Sequence, residues 1–90
     1  MNDTTKKWTK LAKEKLVGRK IVKVEYMSAQ EVENSMWSNS PICFLLDNGA
    51  WVYPMADDEG NDGGVLYYNG TDSDDAELLP VMRPYMKGGM

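Results

Sequence analysis

The chain reads as a mainly β domain: one N-terminal α-helix followed by five short strands bent strongly into a small barrel. Three observations predict this. Residues 4–17, TTKKWTKLAKEKLV, repeat apolar side chains at helical spacing. The stretch ICFLLDNGAWVYP sets two apolar arms around Asn48-Gly49, the mark of a hairpin. Several strands then carry apolar side chains on both faces, so a flat sheet would leave one face wet, whereas a bent barrel covers both.

In chain order, Thr4 or Thr5 can cap the helix and Gly18 stands where a helix ends. Trp8, Leu11, Ala12 and Leu16 form one apolar stripe, and lysines occupy much of the rest. In RKIVKVEYM, Val22, Val24 and Tyr26 alternate with Lys23 and Glu25, which predicts a half-buried strand. Ser28 and Glu31 have capping-box spacing and predict a helical turn to about residue 35, with Val32 and Met36 on one side. WSNSP is a loop. The hairpin follows, with Asn48-Gly49 as a turn whose two residues both take positive φ, and Pro54 marks where pairing stops. VLYYN is a fourth strand, and ELLPVM a fifth whose Pro80 marks an edge or bulge. The expected organisation is one domain over 1–90: helix 4–17, barrel 18–82, frayed tail 83–90.

Ninety residues with a single cysteine and no histidine exclude disulfide bridges within the chain and a Cys/His zinc cage. A chain this short buries only about 60–65% of its unfolded surface, so oligomerisation is the remaining route to a sufficient core. No signal peptide, lipidation motif or membrane span is read, and a lone Cys43 thiol fits a reducing compartment; the expected location is a cytoplasm. The net charge of −4 is unevenly spread. Residues 1–25 hold eight basic and three acidic side chains, residues 26–90 two basic and eleven acidic. A basic element for an anionic partner, a head-to-tail contact between identical subunits and a simple solvated lysine face all fit that split.

The loop MADDEGNDGG looks most like chemistry. Counted from Asp57 as a calcium loop, it has Asp62 where glycine belongs and Tyr68 where a closing glutamate belongs, so it fails as an EF-hand; a surface cation site stays open. It lacks the GK[ST] of a phosphate cradle, and adjacent acids on one loop do not form a catalytic carboxylate pair. The expected role is a glycine-hinged turn whose acids cap local backbone donors. Without histidine the usual general base is missing, and Cys43 lies mid-strand as a small hydrophobe, so no catalytic residue, cofactor or metal is expected. The chain is read as a non-enzyme.

Lys6, Lys7, Lys10 and Lys13 could neutralise phosphates. Trp8 fits the apolar stripe and is read as core. Trp37, in the polar loop SMWSNSP, either offers a stacking platform for a base or plugs a barrel end or subunit contact.

The order of N-terminal helix, five bent strands and DNG hairpin resembles the Sm-like fold, a strongly bent barrel of SH3-like kind. That resemblance implies a homo-oligomeric ring paired through edge strands, binding single-stranded RNA. It also implies that Asp47 and Asn48, in LDNGAWVYP, contribute hairpin-loop contacts. The family's arginine-glycine pair before the last strand is replaced here by NGTDSDDAELLP, so phosphates would have to meet the helix lysines. PICFLLDNGAWVYPMADDEGNDGGVLYYN is also similar to small uncharacterised bacterial and marine-phage proteins, and a phage-encoded chain would work in a host cytoplasm. The expected function is non-catalytic binding of single-stranded nucleic acid, RNA or DNA, by a homo-oligomeric ring, with no membrane partner. The alternative is an assembly or protein-interaction module without nucleic acid.

Overall fold

The computed structural model describes residues 2–72 and 74–83. The predicted element order is present: α1 (Asp3–Leu16), β1 (Ile21–Tyr26), α2 (Ala29–Asn34), β2 (Ile42–Leu46), β3 (Trp51–Val52), β4 (Leu66–Asn69) and β5 (Ala76–Leu79). The tail beyond Arg83 lies outside the described residues.

The strands form two antiparallel sheets, β1-β2-β3 and β4-β5, and not one closed barrel. Tyr26 joins the sheets by donating its hydroxyl to Pro80 O at 2.8 Å. A second join is the bridge between Ser40 and Met82, whose N–H groups donate to each other's carbonyls at 2.7 and 2.9 Å. β5 stops one residue before Pro80, which has no N–H to continue the ladder. Closure fails because neighbouring pairs are short: β3 has two residues, and the chain after it turns into the acidic loop instead of extending toward β4.

α1 begins earlier than its threonines predict. Asn2 is the N-cap, its Oδ1 accepting from Thr5 N at 2.8 Å, and asparagine is the better capping residue of the two types. Leu16–Arg19 then form a type II turn: Val17 has φ −66° and ψ 132°, Gly18 has φ +82°, and Arg19 N donates to Leu16 O at 3.1 Å. Asp47 N donates to Lys20 O at 2.9 Å, and the Arg19 guanidinium lies 3.4 Å from the Asp47 carboxylate, so the start of β1 is tied to the β2–β3 hairpin.

The capping box forms as predicted: Ser28 Oγ accepts from Glu31 N, and Glu31 Oε1 accepts from Ser28 N, both at 3.1 Å. α2 ends in a Schellman motif, with Trp37 N donating to Val32 O and Met36 N to Glu33 O, each at 2.9 Å. Met36 occupies the position usually given to glycine, at φ +62°. Its side chain is 88% exposed, so Met36 does not share the buried side of α2 with Val32 as the spacing predicted.

The hairpin turn differs from the expected two-residue form. Gly49 N donates to Leu46 O and Leu46 N to Ala50 O, giving a three-residue loop in which Gly49 alone has positive φ. The glycine sits in the bulge position of that loop type, and Asn48 Oδ1 accepts from Ala50 N at 3.1 Å.

The core is small. Among the described residues Val32, Trp37, Ile42, Cys43 and Leu46 are the buried apolar side chains, centred on β2 and α2. β1 pairs with β2 through Val24↔Phe44 and Tyr26↔Ile42, with a bulge between Ile21 and Lys23. Val22 and Val24 stay more than half exposed, because none of the described residues covers their side of the sheet. The alternation predicts the strand but not its burial. α1 has no buried residue, and among the described residues no other element packs extensively on it. The Cα radius of gyration, 15.2 Å, accordingly exceeds the ~12 Å typical of a compact chain of this length.

Candidate functional site

Lys6, Lys10 and Lys13 recur every three or four residues and so share one face of α1, bordered by Thr9 and Glu14. The ion pairs among the described residues are Arg19–Asp47 and Lys23–Glu25; none involves these lysines. Lys7 lies on the adjoining side, its Nζ 5.6 Å from the Trp8 ring centroid. The other expected contacts fall elsewhere. Asp47 is engaged by Arg19, and Asn48 uses its amide oxygen within its own turn. Both sit at the hairpin tip, remote in sequence from the lysines and packed against the α1–β1 connection, not against the lysine face.

Trp8 and Trp37 both lie in surroundings other than those their neighbours predict. Trp37 is 8% exposed and is no stacking platform. Its Nε1–H donates to Gly60 O at 2.8 Å, and its ring meets Tyr53 edge-on with centroids 6.1 Å apart. The structure buries Trp37 within the chain, between the acidic loop and Tyr53. Trp8, read as core, is 57% exposed, since a stripe is buried only when something lies against it.

The acidic loop is spent on holding the Trp37 segment in place. Asp62 Oδ1 accepts from Ser38 N, Asn39 N and Gly63 N at 2.8–3.1 Å, and Oδ2 from Asn39 Nδ2 at 3.0 Å. Burial pushes the Asp62 carboxyl up, but these donors outweigh it and hold it below the usual carboxylate range. Asp57 is also lowered, first by the Asn61 side-chain amide and then by the backbone N–H groups of Glu59 and Asn61. Gly63 permits the approach: a Cβ there would stand 2.5 Å from Asn39 O and 2.6 Å from Pro41 Cδ. Among the described residues, no three or more acidic or cysteine side chains are grouped to hold a metal ion.

One feature that sequence reasoning missed is a cavity of about 380 Å³ between α2 and the sheet face that carries Cys43. Met27, Trp51 and Tyr53 give it apolar and aromatic walls, and Glu25 and Glu31 give it carboxylates. The register places Glu25 opposite Cys43 and Trp51 opposite Leu45, so the cavity gathers residues from three strands. Alternation along Trp51-Val52-Tyr53 does put both rings on one face, but only the strand pairing sets them beside Glu25. Burial pushes the Cys43 thiol up, and the carboxylates of Glu31 and Glu25 add to the effect, which favours a neutral S–H at the cavity floor.

No helix among the described residues is long and apolar enough to cross a membrane. No family model matches the chain, and no curated protein or solved structure is significantly similar to it.

Proposed function

We propose that the protein is a non-catalytic assembly module that works as a homo-oligomer and offers the lysine face of α1 to single-stranded nucleic acid. The observation that carries this reading is α1 itself: an amphipathic helix whose two faces both stand in solvent. Trp8, Leu11 and Leu16 are exposed on one side, and Lys6, Lys10 and Lys13 occupy the other. Apolar surface of this kind is relieved by association. Among the described residues sixteen large apolar side chains are exposed against five buried, which favours subunit contact over a free monomer. Association through the apolar stripe turns the lysines outward, where repeated copies would build a continuous basic surface. Within such an assembly the two sheets complete the bent, Sm-like barrel in a ring. Binding then rests on phosphates, because Trp37 supplies no base platform and the rest of the chain is acidic.

The test is the triple variant Lys6→Gln/Lys10→Gln/Lys13→Gln, measured by native mass spectrometry and by titration with a short U-rich oligonucleotide. The oligomer stays intact, affinity drops, and the slope of log K against log salt falls by roughly 2. An unchanged affinity and slope would remove nucleic acid from the function. The second reading, an assembly module without nucleic acid, is favoured by the excess of exposed apolar side chains. It predicts that the wild-type oligomer ignores the oligonucleotide at every salt concentration.

A further inference from the structure

The apolar stripe of α1 has lysines close beside it. By helical spacing Lys7 borders the Leu11 edge of this face and Lys15 lies on it about two turns beyond Trp8, so the face carries two ammonium groups beside the indole. The cavity beside Cys43 has the complementary make-up: two carboxylates around aromatic and sulfur-bearing walls. We propose that the Trp8 indole of one copy inserts into this cavity of the next copy, with Lys7 and Lys15 of the same helix set against Glu25 and Glu31.

This inference rests on the homo-oligomeric reading above and names the contact that builds it. A cavity of about 380 Å³ is in the size range of pockets that enclose a small organic group and admits an indole. Trp51, Tyr53 and Met27 then provide edge, face and thioether contacts to it. A tryptophan filling an aromatic pocket, rimmed by opposite charges, is the usual make-up of an interface anchor. The helix does not reach its own cavity. The type II turn at 16–19, the Asp47 N to Lys20 O bond and the Arg19–Asp47 pair fix its exit from β1, and in that position Trp8 remains 57% exposed. Helix-into-cavity contact is heterologous, so each copy uses a different surface toward each neighbour and the chain of contacts closes as a ring or continues as a filament. Lys6, Lys10 and Lys13 lie on the opposite side of the helix and are left free by this docking.

The test uses the full chain and sedimentation velocity at fixed protein and salt concentration. Trp8→Ala is expected to raise the subunit dissociation constant at least tenfold, with far-UV circular dichroism unchanged because Trp8 belongs to no core. Lys7→Glu/Lys15→Glu and, separately, Glu25→Lys are each expected to weaken association to a similar degree. A 1:1 mixture of those two variants is expected to recover it, since the reversed helix of one meets the reversed cavity of the other. A wild-type oligomer that Trp8→Ala leaves unchanged overturns this inference while the homo-oligomeric reading stands. Weakened single variants that fail to complement also overturn it, placing Trp8 in some other contact. A wild-type chain that sediments as a monomer overturns both.

Discussion

Replacing Met36 with glycine is expected to stabilise the protein, although glycine costs stability at most helical positions. Met36 follows α2 at φ +62°, and its N–H completes the Schellman motif through Glu33 O. An L-residue held in this left-handed region costs roughly 1–2 kcal/mol, which glycine avoids. Against that stand the extra chain entropy of glycine, about 0.5–1 kcal/mol, and a few tenths from the lost side chain. The latter is small because Met36 is 88% exposed. The balance is on the order of 0.5 kcal/mol in favour of glycine, or a few degrees in melting temperature for a domain of this size. The assay is urea denaturation at one protein concentration, with the midpoint rising and the slope m unchanged. Glu33→Gly, inside α2, serves as the control and is expected to lose about 1 kcal/mol. A Met36→Gly protein destabilised as much as that control would refute the capping argument.

Two further outcomes follow from the acidic loop. Asp62 has its carboxyl lowered in the folded state, so its contribution is fully present above the unfolded pKa near 4 and is lost as pH falls through the lower folded value. Asp62→Asn should therefore be less stable than wild type at neutral pH, with the gap narrowing below about pH 4; denaturation midpoints across pH 2–7 read this directly, and a constant gap would argue against it. Gly63→Ala should cost roughly 1–3 kcal/mol, since its Cβ would press on Asn39 O and Pro41 Cδ, atoms of the segment Asp62 pins. A thermal melt within a degree of wild type would contradict that.

The parts legible in the sequence are those decided within a few residues. Ser28 and Glu31 specify the capping box, Asn48-Gly49 the reversal, and the aspartates of the acidic loop a turn that caps its own backbone. What was not legible depends on partners far along the chain. The exposure of Trp8 and the burial of Trp37 have one reason: neighbouring residues determine whether a side chain belongs to a stripe or a loop, whereas burial depends on what comes to lie over it. Gly60, 23 residues beyond Trp37, supplies the acceptor that buries its indole. Among the described residues nothing comes to lie over Trp8. The cavity was hidden for a related reason, since Glu25 and Tyr53 become neighbours only through the pairing of three strands. Barrel closure depends on hydrogen bonds between strand pairs that short strands do not extend to make.

The turn between α1 and β1 has a mechanical consequence. A 14-residue helix is about 21 Å long, and it is joined to the sheet by a single tight reversal at Gly18. It therefore acts as a lever: a change of about 10° at the turn swings its far tip by nearly 4 Å, a displacement comparable to the strand-to-strand distance in a sheet. If copies associate through α1 as proposed, the angle at which they meet would be set by two backbone residues, Val17 and Gly18. On the proposed oligomeric reading, a lengthened or stiffened 17–19 segment would change how copies are set against one another while every contacting side chain stays the same.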